Sequence, residues 1–271
     1  MTAAARRLVV TADDFGAAVA VNEAVERAHR EGILTAASLM VGGGACADAV
    51  ARARRLPGLG VGLHVVLCDG VPVLPAARVS WLVGADGRFH DSMLRTALLV
   101  ALVPAARAQM RAEVAAQFAA FAATGLPLDH ANAHKHFHMH PMIAAAMLHA
   151  GAQHGLRAVR TPREAGGGLL AWWAGLLGRR WRARGLLVND AVSGLAASGA
   201  FDAAAMQAAL AALPAGLTEL YAHPATGPYP GSAPGYRYAT ELAALCDPAV
   251  KAALAASGAV PGRFADFVGT C

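Results

Sequence analysis

The chain is poor in cysteine, in aromatic residues and in charge. Its cysteines are Cys46, Cys68, Cys246 and Cys271, with no CxxC pair and no regular spacing, which argues against a zinc ribbon or a disulfide framework. Aromatic residues make up only 6% of the chain, too few to alternate with its arginines in a nucleic-acid groove. We therefore expect reduced thiols, a cytoplasmic location and no nucleic-acid partner.

Long apolar runs are also missing. The longest, Thr96 to Ala106, is far shorter than the roughly 20 residues that span a bilayer. At the N-terminus, Asp13 and Asp14 interrupt the apolar run, so no signal peptide is predicted. Hydrophobic residues nevertheless make up 56% of the chain and charged ones 15%, which excludes disorder. The net charge of +5, carried by scattered arginines, favours contact with an anionic surface such as a membrane leaflet.

Segments typical of strands alternate with segments typical of helices. Strands are predicted at 7–11, 33–41, 59–67, 156–160 and 217–222, and a strand followed by a loop at 128–138. Helices are predicted at 17–30, 46–56, 93–123 with a break near Pro104, 142–154, 168–184, 202–213 and 238–256. The alternation predicts parallel strands joined by helical crossovers, and therefore an α/β fold. The length allows one large domain or two small ones; we expect one, over residues 1–271, with an irregular insertion at about 69–92.

Histidines are concentrated in one segment, which holds His130, His134, His136, His138 and His140. In an extended strand, alternate residues share a face but lie about 6.6 Å apart. Neighbouring imidazoles there cannot bind one ion through bonds of about 2.0 to 2.1 Å unless the chain bends. One of these histidines is therefore expected to bind a metal ion, while the rest line a cleft or contact the partners of the metal ligands. The alternative is a polar strand surface.

Asp13 and Asp14 are adjacent carboxylates at the end of an apolar strand. Two anions in a partly dry site repel each other, so a bound cation explains them most simply. In a regular strand their side chains would diverge, which favours separate roles: one binds the ion and the other accepts a proton from bound water. The alternative is a helix N-cap with one spare carboxylate.

His64 and His223 are single histidines in predicted strands. A lone histidine such as His64, in VGLHVVL, is more often a hydrogen-bonded core residue than a ligand. The ligand role of His64 gains support because Asp14 and the histidine segment also lie at strand ends. The carboxyl ends of parallel strands meet on one face of the sheet or barrel. His223, in ELYAHPA, could donate a proton to a leaving group or stabilise an oxyanion, and a structural role is equally open.

Four segments, in this order, resemble the YdjC-like carbohydrate deacetylase family, which includes the chito-oligosaccharide deacetylases: TADDFG at 11–16, GLH at 62–64, AHKHFHMHP at 133–141 and ELYAHP at 219–224. The resemblance implies a distorted (β/α) barrel that uses one divalent ion to hydrolyse N-acetyl groups of amino sugars. It also implies that Asp14, His64 and His134 bind the metal, that Asp13 is the general base and that His223 assists as an acid. Two imidazoles and a carboxylate suit zinc or magnesium, so the ion stays open.

One segment departs from the common family pattern. Where many members read Asp-Ser-His, this chain has Asn132, Ala133 and His134, followed by Lys135. The resulting NAHKHFHMHP resembles the hopanoid-biosynthesis-associated (HpnK-type) branch, which implies an N-acetylglucosaminyl hopanoid as substrate. The change also removes a carboxylate that could support the metal ligands.

The segment from Leu169 to Arg184 combines Trp172, Trp173 and Trp181 with four arginines. An amphipathic helix of this composition can lie in a membrane interface or cover a lipid-binding mouth. We therefore expect peripheral contact through residues 169–184 at the inner membrane face. The alternative is a core-packing helix with a basic outer face.

Three other functions remain open. The substrate could be a soluble chito-oligosaccharide, or the enzyme could be a metal-dependent phosphoester hydrolase, which also uses Asp and His ligands. A non-enzymatic metal carrier could use the histidine run alone. The ordered set of four segments favours the deacetylase.

Overall fold

The computed structural model describes residues 5–164 and 168–269, in which strands and helices alternate. The strands are β1 (Arg6–Phe15), β2 (Ala36–Leu39), β3 (Gly60–Val65), β4 (Ala131–Ala133), β5 (Ala158–Val159), β6 (Leu187–Val188), β7 (Ala191–Ser193), β8 (Gly216–Ala222) and β9 (Val260–Pro261). The helices are α1 (Val19–Glu31), α2 (Cys46–Ala53), α3 (Met93–Leu102), α4 (Pro104–Ala123), α5 (Pro141–Gln153), α6 (Gly168–Arg182), α7 (Ala203–Ala211), α8 (Tyr238–Cys246), α9 (Pro248–Ala256) and α10 (Phe264–Phe267).

The strands form one curved parallel sheet in the order β6-β5-β4-β3-β2-β1-β8-β7, with β9 beside β1. Within the described ranges, β6 and β7 do not pair with each other, so the barrel is open there. Helices cover its outer face, as right-handed crossovers between parallel strands require. The predicted α/β fold with a distorted (β/α) barrel is confirmed.

The inside of the barrel changes character along the strands. Near the strand starts, Val9, Ala36 and Leu217 pack with Phe264 and Phe267 of α10, which closes that end. Two residues further along, the same strand faces carry buried polar side chains, namely Thr11, Ser38, Arg160, Asn189 and Glu219. The barrel therefore opens into a polar site at the carboxyl ends of its strands, where sites of parallel α/β barrels lie.

Several predicted boundaries need correction. In the strand and loop predicted at 128–138, the strand covers only Ala131–Ala133, and Lys135 and His136 beyond it adopt positive φ angles of 52° and 54°. The helix predicted at 238–256 is two helices, since Pro248 has no backbone N–H to continue α8. Asp247 caps the second helix by accepting a hydrogen bond from the backbone N–H of Ala249.

The predicted insertion at about 69–92 contains a short 3₁₀ turn, Ala76–Arg78, and an isolated bridge between Val83 and Phe89. The predicted break near Pro104 is the junction of α3 and α4, which are bent by 112°. Among the helices described, none alone has the length and apolar character of a membrane span, although α3 and α4 together meet those two criteria.

The Trp/Arg-rich segment forms α6, and its tryptophans have different environments. Trp181 is buried in the core, and Trp173 is half-buried and donates a hydrogen bond from Nε1 to the carbonyl oxygen of Met139 at 2.9 Å. Trp172 is 59% exposed, next to the exposed Leu169 and Leu170. One side of α6 therefore packs on the barrel while its first turns present apolar side chains to solvent.

Candidate active site

Asp14, His64 and His134 bring three donor atoms together at the open end of the barrel. Asp14 Oδ1 lies 3.3 Å from His64 Nε2 and 3.2 Å from His134 Nδ1. For bonds of about 2.0 to 2.1 Å, two ligands of a tetrahedral ion lie about 3.3 to 3.4 Å apart. The separations and the donor set, one carboxylate oxygen and two imidazole nitrogens, therefore fit a divalent metal ion.

A β-bulge directs both aspartates into this site. Ala12 pairs with Ala37 and Phe15 with Leu39, so β1 uses three steps where β2 uses two. Within this bulge Asp14 has a positive φ of 62°. The expectation that the side chains of Asp13 and Asp14 diverge is therefore wrong, because both line the same cleft. They nevertheless have different partners, since Asp14 faces the histidines and Asp13 faces Arg160.

A turn directly after His134 separates it from the other histidines of the segment. The left-handed conformations of Lys135 and His136 turn the chain, so His136 Nε2 lies 3.3 Å from the hydroxyl of Tyr221. His138 is fully buried beside Trp181, and burial lowers its pKa to about 3, so this imidazole is neutral. Of the clustered histidines, His134 alone joins Asp14 and His64 in the described metal-binding group.

Asp13 is held by a buried ion-pair network. Its Oδ2 and Oδ1 accept hydrogen bonds from Arg160 Nη1 and Nη2 at 2.5 and 3.0 Å. Arg160 also donates two hydrogen bonds to Glu219, at 2.9 and 2.7 Å, and Thr11 donates a third to it. Burial alone would raise the pKa of Asp13, but the charge of Arg160, with His64 and His223, lowers this pKa well below its ordinary range. Asp13 is therefore a fixed anion beside the metal-binding group.

His223 follows β8 and completes the set of predicted residues. Its backbone N–H donates a hydrogen bond to Glu241, and its ring lies edge-on to Tyr221 and Tyr236 at 5.3 and 5.4 Å between ring centres. Its Nδ1 is buried and has no hydrogen-bond partner among the residues of 5–164 and 168–269. An unpartnered imidazole nitrogen at a cleft can exchange a proton with a bound molecule.

The cleft brings all five predicted residues together: Asp13, Asp14, His64, His134 and His223. It also contains every tyrosine of the chain, namely Tyr221, Tyr229, Tyr236 and Tyr238. Three of these come from the loop and helix start after His223, and their clustering in PYPGSAPGYRY was a signal that the sequence reasoning did not use. Arg160 was also missed, because a single arginine at the end of a short strand carries no motif.

The cleft continues past Asp14 and His134 into a second depression. Its walls are the glycine segment 42–44, the apolar side chains of Met40, Val66 and Val71, and Arg88. At the rim, Lys135 forms an ion pair with Asp69 at 2.7 Å. The site is thus an elongated groove with the metal-binding group near its middle, long enough to hold more than a single small group.

An open parallel barrel with an Asp-His-His cluster at its carboxyl end defines this chain as an α/β-barrel protein whose cluster could hold a metal ion. Within that class it belongs to the YdjC-like protein family, whose model matches residues 7–256. This confirms the family resemblance.

Similar proteins include carbohydrate deacetylases and a chitooligosaccharide deacetylase. The Mus musculus carbohydrate deacetylase is 35% identical over 243 residues, 80% of this chain and 77% of that protein. The Brevibacillus brevis carbohydrate deacetylase is 40% identical over 142 residues, 52% of this chain and 54% of that protein. The Serratia marcescens chitooligosaccharide deacetylase is 35% identical over 137 residues, 50% of this chain and 52% of that protein. The matched region therefore spans about half the length of the two bacterial relatives.

A solved structure has the same fold over almost the whole chain. It is a crystal structure of an Enterococcus faecalis V583 protein described as a candidate cellobiose-phosphate cleavage protein. The TM-score is 0.81, with 21% identity, over 97% of this chain and 99% of the other. At this identity the similarity establishes the fold.

Proposed function

We propose that this protein is a metal-dependent hydrolase that removes the acetyl group from an N-acetylglucosamine-type amino sugar. The observation that carries the proposal is the group formed by Asp14, His64 and His134 with the anionic Asp13 beside it. The relatives named carbohydrate deacetylase and chitooligosaccharide deacetylase support this reaction and substrate class. The reaction would yield acetate and a free amino sugar.

Asp14, His64 and His134 would hold one divalent ion, zinc or magnesium. Such an ion lowers the pKa of a bound water and polarises a carbonyl oxygen. The separations of 3.2 and 3.3 Å from Asp14 Oδ1 to the two imidazole nitrogens are closer to a tetrahedral arrangement, which zinc prefers, than to an octahedral one.

Asp13 accepts the proton of the attacking water in the proposed mechanism. Because Arg160 holds the pKa of Asp13 well below its ordinary range, this carboxylate is ionised throughout the pH range in which the enzyme would work. The two hydrogen bonds from Arg160 also fix its orientation. His223, whose Nδ1 has no partner, donates the proton that the departing sugar amine requires.

The finer proposal is that the amino sugar is carried on a lipid, as the HpnK-type resemblance implies. Surface helices next to the site support it. Trp173 of α6 contacts Met139, and the next residue, His140, lies beside the backbone of Ala97 in α3, so the two helices flank one short segment. Six leucine and tryptophan side chains of these helices are at least half exposed: Leu94, Leu98, Leu102, Leu169, Leu170 and Trp172.

The charge of these helices matches an anionic bilayer. Neither α3 nor α6 contains an acidic residue, whereas α3 has Arg95 and the last turn of α6 has Arg179, Arg180 and Arg182. Exposed apolar side chains beside arginines are typical of peripheral membrane contact. We therefore propose that α6, together with α3, brings the cleft to the membrane surface where a glycolipid headgroup lies.

Acetate release tests this proposal. Metal-stripped protein would be assayed with an N-acetylglucosaminyl lipid and with soluble chito-oligosaccharides, each with and without zinc, magnesium or manganese. We expect metal-dependent release from the lipid substrate. Release from the soluble sugar alone would support the deacetylation reaction but refute the lipid-linked substrate. Absence of acetate from both, with metal bound and nitrophenyl phosphate hydrolysed, would replace the deacetylase with a phosphoester hydrolase.

A further inference from the structure

A line of buried hydrogen-bonding groups leads from α10, at the closed end of the barrel, to His64. We propose that Asp129, His130, Ser38 and Asn132 form a relay that sets which nitrogen of His64 carries its hydrogen, and so controls how tightly the site binds its ion. The inference rests on the proposed function insofar as that function requires a metal ion on His64. It concerns positioning residues, none of which touches the substrate.

The contacts of the relay are continuous. Asp129 Oδ2 lies 2.9 Å from His130 Nδ1, and His130 Nε2 lies 3.0 Å from the hydroxyl of Ser38. The Ser38 oxygen lies 2.8 Å from the Asn132 amide, whose other side is 2.6 Å from His64 Nδ1. Ser38, His130 and Asn132 are fully buried, so water cannot replace any of these hydrogen bonds.

Asp129 gives the relay its direction. Its carboxylate accepts hydrogen bonds from the backbone N–H groups of Phe264 and Ala265, at 3.3 and 2.8 Å, so His130 Nδ1 donates to it. With Nδ1 as the donor to Asp129, His130 Nε2 accepts from the Ser38 hydroxyl, and the Ser38 oxygen accepts from the Asn132 NH₂. Asn132 Oδ1 is left to accept from His64 Nδ1. The lone pair of His64 Nε2 then faces Asp14 Oδ1 and the metal position.

Arg160 opposes this arrangement. With its carbonyl toward His64, the Asn132 NH₂ lies 3.0 Å from Nη1 and Nη2 of Arg160, so two donors face each other. Turned over, Asn132 would accept from Arg160 and Ser38 but would donate to His64 Nδ1. His64 Nε2 would then carry the hydrogen and could not bind an ion. The Asn132 amide is therefore the point where the relay and Arg160 compete.

The sequence of β3 makes room for the relay. A side chain at Gly62 would place its Cβ 2.5 Å from the ring of His130, and one at Gly60 would lie 2.8 Å from the carboxyl group of Asp129. Contacts that short do not occur between real side chains, so these glycines are required by the residues beside them. Gly62 thus belongs to the GLH segment for a steric reason, while His64 supplies the ligand.

Zinc affinity, measured by competition with a chromophoric chelator, tests the relay. The proteins are the wild type, Ser38→Ala, Asn132→Asp and the double variant. Without the Ser38 hydroxyl, Asn132 turns toward Arg160, so we expect zinc binding to weaken by about 10- to 100-fold. In Asn132→Asp both side-chain oxygens accept, one from His64 and one from Arg160. This variant should bind zinc more tightly than the wild type, and adding Ser38→Ala should then have little effect.

Two controls separate the relay from general damage to the sheet. Thr218→Val removes another buried hydroxyl, which has no partner in the structure, and should leave zinc affinity unchanged. Nitrogen-15 NMR of the zinc-bound wild type should show the hydrogen of His64 on Nδ1. If Ser38→Ala weakens zinc binding equally in both backgrounds, or not at all, the relay is refuted. If the wild type binds no zinc, magnesium or manganese, the metal site itself, and with it the proposed function, is refuted.

Discussion

Asp13 and Asp14 are neighbours in sequence and in the cleft, but their hydrogen-bond partners differ. Burial alone would raise the pKa of Asp14, while His134 and His64 lower it well below its ordinary range. Asp13 has both oxygens bound to the guanidinium of Arg160. In the proposed mechanism the same residue type would therefore serve as a metal ligand in one position and as an oriented base in the next, because the surrounding groups differ.

Replacing Asp13 with Asn tests this division. The amide cannot accept a proton, so turnover should fall by roughly 10²- to 10⁴-fold. Metal content should stay close to the wild-type value, because Asp13 is not one of the three grouped ligand residues. Asp14→Asn is the matched comparison and should lose the metal. Loss of metal from Asp13→Asn, measured by elemental analysis after dialysis, would instead make Asp13 a ligand.

The buried Arg160 also links stability to pH. Asp13 has a lowered pKa in the folded protein, so its stabilising contribution is present above the ordinary carboxyl pKa and is lost only as pH falls below it. Arg160→Met leaves Asp13 and Glu219 buried without their cation, which should cost about 3 to 5 kcal/mol at neutral pH. In this variant burial raises the pKa of Asp13, because the cation that lowers it is gone, so protonation should make the deficit smaller at about pH 5 than at about pH 7.

Urea denaturation at the two pH values measures this difference. Arg157→Met is the control, since Arg157 is exposed and lies three residues earlier in the same approach to the barrel. It should change the free energy of unfolding little at either pH. If Arg160→Met lowers the free energy of unfolding by the same amount at both pH values, the ion-pair explanation is contradicted.

At the scale of single elements, the sequence predicted where strands end but not how the chain behaves there. The strand ends before Asp14 and His223 could be read from apolar runs that stop there, whereas His64 interrupts an apolar run. The β-bulge at Asp13 and Asp14 could not be read, because a bulge depends on the register with β2. The left-handed turn at Lys135 and His136 was equally hidden, since positive φ is uncommon for any residue other than glycine.

Helix α6 carries the element-scale prediction. Leu169→Ser combined with Trp172→Ser removes exposed apolar surface without touching Trp181, which holds the helix to the core. We expect unchanged thermal stability but weaker sedimentation with vesicles of anionic phospholipid, and a larger loss of activity on a lipid-linked sugar than on a soluble one. Trp81→Ser is the matched control, because Trp81 is also exposed but lies in the 69–92 segment. If the double variant and Trp81→Ser lose vesicle binding equally, α6 is not the membrane contact.

At the scale of the whole molecule, the alternation of strand and helix patterns was enough to predict an α/β fold, and the family resemblance implied the barrel. It could not predict β5, β6 and β9 at their true lengths, because a two-residue strand has no periodicity of its own. Such strands exist only because neighbours in the sheet supply their hydrogen bonds. For the same reason the side chains from distant segments, Arg160 and the loop tyrosines, became recognisable as parts of the cleft only in three dimensions.

The number of metal ions per chain distinguishes the proposed enzyme from a metal carrier. Over residues 5–164 and 168–269, one group of His, Cys, Asp or Glu side chains comes close enough to hold an ion, and it includes one histidine of the clustered segment. We therefore expect one zinc ion per chain by elemental analysis. His134→Ala should abolish its binding, whereas His140→Ala, at the start of α5, should leave it intact.

The same ion should stabilise the whole fold, because its ligands come from β1, β3 and the turn after β4, which are joined only when the sheet is formed. Zinc that binds only the folded state adds about 2.7 kcal/mol to the free energy of unfolding when free zinc is 100 times Kd. This should raise the melting temperature by several degrees. His134→Ala should lose this increase and His140→Ala should keep it. Binding of several ions per chain would instead identify a carrier, if one ion were lost for each histidine of the segment that is replaced. A carrier needs neither Asp14 nor a folded sheet around its ion.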